Sequence, residues 1–408
     1  MNAPESQSKK QRRFESYRSQ QRKLVQHVGN GRTTDMAAAP LRVSKAIFTD
    51  PVRLDAEKKK LFAKLPLVAG LSKEIPQAGD TLLFDGTGAS IIVIRDKEGK
   101  ANAFLNMCTH RATQLLKECG RVKHITCPFH GWTFDLQGAL IAQPGSEGFT
   151  GIERKELGLI RVPCAELHGL IFIRATPDGS SRKDFENEVT AFLGDFGDEL
   201  SLLELDTYAP GKSGMLEAKA NWKYMAETFA EGYHFAALHP NSVGEMLYTN
   251  VAACQTFGRH HRICYAPKSY KELVGKPESE WPEVDAFVYS IFPNTQLLVG
   301  IPRTEPGPDT LQLHRIYPDT TSTARSHYTI YVKADFMASD GGREYAAMVY
   351  ALGSHIVGTE DFAIAAAAQR MLNAAPDDFK VTYGRNEILI QHYQRNLAEA
   401  TGKPIQGE

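Results

Sequence analysis

Cysteine is scarce in this chain: six among 408 residues. That excludes a disulfide-stapled scaffold and leaves thiols that are reduced and free to bind metal. Charge of one sign is not in excess either. The formal net charge is −1 and the isoelectric point near 6.9, so no global field draws the molecule to nucleic acid or to an acidic membrane. No apolar run approaches the roughly 18 residues that span a bilayer. The opening MNAPESQSKKQRRFESYRSQQRK lacks the apolar stretch of a secretory signal, so the expected location is cytoplasmic. Internal repeats and low-complexity tracts are absent, which excludes solenoid and fibrous architectures. No Gly-rich turn of the dinucleotide-binding kind appears, so a nicotinamide cofactor would have to act through another protein.

What is present suits two domains. The basic head holds Lys9, Lys10, Arg12, Arg13, Arg18, Arg22 and Lys23, diluted by Glu15 and several glutamines. Within an extension over 1–44 it reads as a solvated, frayed helix that carries no chemistry. DPVRLDAEKKKLFAKLP then predicts a helix stopped by Pro66. The short β-rich runs TLLF, SIIVIR and ANAFLN, broken by DGTG and DKEGK, predict a small antiparallel β domain over 45–175. After PDGSSRKDF, the stretches ENEVTAFLGDFGDELSLL and LEAKANWKYMAETFAEGYHFAALH are helical in composition. Strand-like alternation between Tyr265 and Val332 and the alanine-rich GTEDFAIAAAAQRML follow. That order argues an α+β domain over 176–408.

Two Cys–His pairs stand in the smaller domain, Cys108-x-His110 and Cys127-x2-His130, with sixteen residues between them. A closed Cys2His2 zinc site is one reading, but zinc knuckles usually group cysteines on one loop and histidines on the other. Here each loop supplies one of each. That interleaving suits a two-iron cluster, two thiolates on one iron and two neutral imidazoles on the other, the Rieske [2Fe–2S] arrangement. Pro128 stiffens the second loop, Gly131 lets it turn, and Trp132 can cover the cluster. Cys119, Cys164, Cys254 and Cys264 have no such context and read as small buried hydrophobes. His124 lies off the pattern.

A second constellation sits in NWKYMAETFAEGYHFAALHP. Glu231 and His234 stand at i and i+3, on one face if the segment is helical. His234 and His239 are five apart, about 140° around an ideal helix, and could not share one ion from a regular helix. Pro240 pushes His239 out of helical geometry, which can swing its imidazole back. Two histidines and a carboxylate make the facial triad of non-haem Fe(II). Asp361 in GTEDFAIAAAAQ is the candidate, with Glu360 beside it. The plainer reading of that acidic pair is a helix N-terminus decorated with favourable charge.

These motifs, in this order, resemble the α subunit of Rieske non-haem iron, aromatic ring-hydroxylating oxygenases. The likeness runs over roughly 50 to 395 and rests on CTHR…CPFHGWTFDLQGAL, NWK…E…YH…LHP and EDF…AAQR. It implies a small antiparallel β Rieske domain and a helix-grip catalytic domain, a curved antiparallel sheet with long helices over the iron pocket. It implies a homotrimer, with or without a β subunit, in which one subunit's cluster serves the neighbour's iron. The cofactors it implies are the [2Fe–2S] cluster, a mononuclear non-haem Fe(II), and NAD(P)H acting through a separate reductase, with or without a ferredoxin. His234, His239 and Asp361 would hold the iron. Glu231 would be the acid bridging an iron histidine to the neighbour's cluster histidine, where many members have Asp. Thr228 departs from a frequent Asn, which leaves the role of that amide unfilled.

The function so implied is a terminal oxygenase that takes electrons and O2 and hydroxylates an aromatic or other hydrophobic ring compound. Its pocket would be lined from Tyr265 to Val332, where YSIFPNTQLLVGI is apolar, and by residues around Met225 and Phe229. The alternative is a monooxygenase or demethylase acting on a quaternary ammonium or methylated substrate, with Tyr289 or Phe292 in an aromatic cage. The non-enzymatic alternative is a Rieske electron carrier or a zinc-stabilised binding module.

Overall fold

The structure is a computed structural model and describes residues 8–282, 286–300 and 309–405. The chain divides into two units, one formed by Lys58–Phe192, the other by the segment ending at Glu57 together with Leu193 onward. Both are built on antiparallel sheets. Among the described residues no helix is long and apolar enough to cross a membrane.

The smaller unit holds a five-stranded sheet in the order Arg161–Val162, Ala101–Leu105, Ile91–Arg95, Asp80–Phe84, Gly120–Arg121. Two three-stranded sheets accompany it, one of them Ile125–Thr126, Thr133–Phe134 and Leu140–Ala142. Ile92, Ile94, Phe104, Ile125, Trp132 and Phe134 bury one core, and Cys108 and Cys127 belong to it. Both thiols are thus held from beneath by apolar packing.

The larger unit is a seven-stranded antiparallel sheet. Its order is Tyr208–Ala218, Thr323–Lys333, Thr310–Thr320, Thr295–Val299, Phe287–Ile291, His260–Pro267, Leu247–Phe257. Helical turns run over it from Gly342–Gly353 through a π-helix, Ser354–Asp361, into Phe362–Ala374. This is the helix-grip arrangement. LEA, expected in a helix, ends the first strand instead, and only Trp222–Glu227 and Phe235–Leu238 of that stretch are helical.

Two sequence expectations change here. Lys9–Gly29 is a 21-residue helix, and it does not lie free in solvent. Tyr17, Gln21, Leu24 and Val25 are buried at helical spacing, and the Tyr17 ring lies 4.3 Å from that of Phe287 in the sheet. The division also falls elsewhere than expected: 45–57 goes with the larger unit and 176–192 with the smaller. The reason for the first is visible at Glu57. It is 1% exposed, paired at 2.7 Å with Lys223 Nζ and accepting from Trp222 Nε1 at 2.8 Å. A buried carboxylate with such partners cannot be withdrawn from them cheaply.

Candidate active site

The two Cys–His loops are tight turns. Gly131 sits at φ +72°, where a side chain would be strained, and its N–H donates to the Cys127 carbonyl. Cys127 N–H in turn donates to the Trp132 carbonyl at 2.8 Å. In the first loop, Ala112 at φ +59° returns its N–H to the Cys108 carbonyl. Each of these bonds closes its own loop, and the two loops meet through their rings: the imidazoles of His110 and His130 lie with centroids 4.7 Å apart, and His110 stacks on Trp132 at 4.9 Å. Burial pushes the Cys108 thiol up, and the Cys127 thiol beside it adds to the shift.

The Cys108 thiol lies beside that of Cys127 and the two imidazoles lie beside each other, so the donors pair by type, the arrangement in which two irons could each take one like pair. The buried Nδ1 of His110 has no hydrogen-bond partner among the described residues, as a metal-binding nitrogen would not. Of the remaining cysteines, Cys164 and Cys264 are buried as expected; Cys119 is exposed and Cys254 only partly covered.

In the larger unit, ligand atoms of His234, His239 and Asp361 all fall within 4.8 Å of one another. Asp361 Oδ1 lies 3.4 Å from His234 Nε2 and 3.1 Å from His239 Nε2. Three such donors on one side of a common point fit a facially bound ion. The local chain explains the convergence. Phe235–Leu238 stops at His239, whose φ of −114° and ψ of 41° turn it out of the helix before Pro240. Asp361 is not at a helix N-terminus; it lies inside a continuous helical run, at the end of the π segment that offsets the register.

Each imidazole is also held from behind. His234 Nδ1 bonds Glu231, which further accepts from the backbone N–H groups of Tyr233 and His234. His239 Nδ1 lies 2.8 Å from Glu360 Oε2, and Ser242 Oγ donates to the same oxygen at 3.1 Å. The i, i+3 proximity of Glu231 and His234 was expected from a helix, but both lie between the two short helices. The carboxylate makes its own turn. Gly232 is required there, because a Cβ would come within 2.9 Å of both Phe235 and Tyr265. Burial works against charge on His234, but its bonds with Asp361 and Glu231 prevail and hold it up to about 9. His239 is raised for the same reason, through Asp361.

His234, His239 and Asp361 open onto a cavity. Its wall is apolar: Phe229, Phe235, Leu247, Phe287, Leu298, Val299, Leu352 and Ile356 among others. Of the side chains named in advance, Thr228 and Phe229 line it and Met225 does not. Tyr289 and Phe292 do not line it either. The Tyr289 hydroxyl is buried against Arg262 and Tyr17, and Phe292 packs on Tyr393. Residue 301, which ends the expected apolar run, lies outside the described residues. Tyr265 and Gln312 fall within the expected span Tyr265 to Val332, whereas sequence reasoning did not pick out Phe235 or Leu352, whose place at the cavity depends on helix docking.

Family models match stretches of both units. Residues 66–158 match the Rieske [2Fe-2S] domain and residues 205–403 the catalytic domain of the ring-hydroxylating alpha subunit. A carnitine monooxygenase oxygenase subunit from Acinetobacter pittii is 25% identical over 297 residues, 72% of this chain and 77% of that one. The biphenyl 2,3-dioxygenase alpha subunit of Rhodococcus jostii is 29% identical over 197 residues, 47% of this chain and 42% of that one. In fold, naphthalene 1,2-dioxygenase from a Rhodococcus species superposes with a TM-score of 0.73 at 20% identity, covering 94% of this chain and 98% of the other.

Proposed function

This chain belongs to the α subunits of the Rieske oxygenases, and from there we propose that it oxidises a neutral, largely apolar molecule held beside His234, His239 and Asp361. The Rieske cluster and the mononuclear iron are the cofactors of such a terminal oxygenase component, one supplying single electrons and the other activating O2. Cys108 and Cys127 would hold one cluster iron, His110 and His130 the other. His234, His239 and Asp361 would hold the mononuclear iron.

The observation that carries the substrate reading is the cavity wall. Among the described residues its only ionisable side chains are the two histidines, Asp361 and Tyr265. Burying an unpaired cation or carboxylate against such a wall would cost several kcal/mol, whereas an apolar ring gains from every covered surface element. Two carboxylates stand behind the ligands: with iron bound and both imidazoles neutral, Glu231 and Glu360 would take the Nδ1 protons of His234 and His239, leaving both Nε2 lone pairs to face the common point with Asp361. Glu231, anionic and seated on an iron ligand, is the group we assign to the electron path from a neighbouring subunit's cluster in a homotrimer. Electrons would come from NAD(P)H through a separate reductase.

One observation favours a second reading. The A. pittii relative is named for carnitine, a quaternary ammonium compound, and four aromatic residues, Phe229, Phe235, Tyr265 and Phe287, line the cavity. The deciding experiment loads the protein with iron and sulfide and supplies a surrogate reductase. It then measures 18O incorporation into naphthalene, tetralin, carnitine and glycine betaine. Oxygenated hydrocarbon is expected; turnover of carnitine or betaine alone would replace the first reading by the second. Colourless protein holding stoichiometric zinc would end both.

A further inference from the structure

Polar side chains are few in the cavity, and all but one are already engaged. Thr228 Oγ1 donates to the Met225 carbonyl at 3.0 Å. The Tyr265 hydroxyl is 3.1 Å from the carbonyls of Phe229 and Glu231, with one proton to give between them. His234, His239 and Asp361 face one another. The exception is Gln312, on the strand Thr310–Thr320, 4% exposed and lining the cavity.

The orientation of its amide follows from its neighbour. The Tyr328 hydroxyl, fully buried on the adjacent strand, lies 2.7 Å from Gln312 Oε1 and has no other partner among the described residues. A buried hydroxyl proton left without an acceptor is costly, so Tyr328 donates and Gln312 Oε1 accepts. The Gln312 NH2 therefore points away from Tyr328, and no described residue accepts from it. Tyr328 cannot turn to release the amide. Its ring is stacked between His314 at 4.2 Å and Tyr350 at 5.0 Å. Gly353 closes the arrangement from above: a Cβ there would lie 2.0 Å from the Tyr328 hydroxyl and 2.8 Å from Gln312 Oε1. Only a glycine lets the helix ride over this pair, and Gly353 itself lines the cavity.

We propose that Gln312 Nε2 is the donor that orients the substrate, so the substrate is a mainly hydrocarbon molecule carrying one neutral hydrogen-bond acceptor, a carbonyl, ether or ring-nitrogen group. This rests on the apolar-substrate reading above and sharpens it. The acceptor fixes which carbon faces the metal site, because the apolar wall sets position only by shape while one directional bond sets rotation. A pure hydrocarbon would enter the same cavity but leave a buried amide donor unmatched.

The test is a matched pair, 1-tetralone against tetralin, assayed as kcat/KM with the iron-loaded protein and a surrogate reductase. Wild type is expected to favour the ketone about tenfold, the scale of one buried hydrogen bond. Gln312→Leu, similar in size and without the donor, should bring the ratio to about one. Tyr328→Phe should give an intermediate ratio, since the amide is then free to turn. A wild-type ratio at or below one, or a ratio unchanged in Gln312→Leu, overturns the assignment. So does a Gln312→Leu protein inactive on both compounds combined with an unchanged ratio in Tyr328→Phe. Oxidation of tetralin without a ketone preference leaves the apolar-substrate reading standing. Failure to oxidise either compound while both metals are bound removes that reading as well.

Discussion

Glu360 and Asp361, neighbours in the chain, address opposite nitrogens of one imidazole. Glu360 Oε2 lies 2.8 Å from His239 Nδ1, and Asp361 Oδ1 lies 3.1 Å from His239 Nε2. Consecutive residues of a regular helix point about 100° apart, and here the π segment Ser354–Asp361 turns both onto the same ring. One carboxylate faces the common point of the metal triad and the other stands behind it.

These roles separate by mutation. Asp361→Ala should lose mononuclear iron and leave the cluster's visible spectrum intact. Glu360→Gln should keep iron but weaken its affinity about 10–100-fold, the usual effect of losing a partner behind a ligand. Iron analysis after graded chelation distinguishes them. The reverse pattern would make Glu360 the ligand.

Glu231→Gln can still accept the His234 Nδ1 proton through its carbonyl, so both metals should stay bound. What it loses is the negative charge on the proposed electron path. Steady-state turnover is expected to fall about 10–100-fold with unchanged iron and sulfide content. Turnover near wild type would take Glu231 out of that path.

Glu227 governs a stability effect that depends on pH. It is fully buried, and that burial pushes its carboxyl up to about 8, against the donors Gln394 and Tyr383 and the nearby Lys223. Its folded value is above the ordinary 4.5, so the folded state binds the proton more tightly. That stabilisation is complete below about pH 4.5 and declines as pH rises, until it is gone near 8. The slope is roughly 1.4 kcal/mol per pH unit within that window. Glu227→Gln keeps a neutral partner for Tyr383 and Gln394 at every pH. It should melt above wild type at pH 8, with the gap closing toward pH 5. Parallel melting curves from pH 5 to 8 would contradict the buried proton.

Tyr17 is 5% exposed with its ring against Phe287, and Phe287 lines the cavity. Tyr17→Ala should cost about 3–5 kcal/mol of unfolding free energy, as large aromatic truncations in a core do. It should also loosen the cavity wall and raise KM for a bulky substrate more than it lowers kcat. Urea unfolding checks the first effect. A variant as stable as wild type would return the N-terminal helix to the solvated role its composition suggests.

Local chemistry was the legible part. The Cys–His alternation over 108–130 reads directly because ligand identity and loop punctuation lie in one short stretch. Pro240 marked where His239 leaves helical geometry, and it does so. The proximity of Glu231 to His234 was legible for another reason than the true one: a helix was expected, and a carboxylate that bonds two backbone N–H groups builds the turn instead. The burial of Lys9–Gly29 was not legible, since its cover comes from strands more than two hundred residues later. Its many charges and amides concealed a stripe of only a few apolar side chains.

The sequence by itself pointed to both candidate donor sets, to the order of the two domains and to the antiparallel β character of the first, because each depends on residue type and short-range spacing; the antiparallel sheet of the second was what the family resemblance implied. Only the tertiary structure decided which carboxylate faces the triad, what backs each histidine and what the cavity presents. Those depend on helix phase through a π turn and on strand register. Tyr328 meets Gln312 across neighbouring strands, and Gly353, at the end of the helix Gly342–Gly353, leaves room for the pair. No local pattern encodes a three-way packing of that kind.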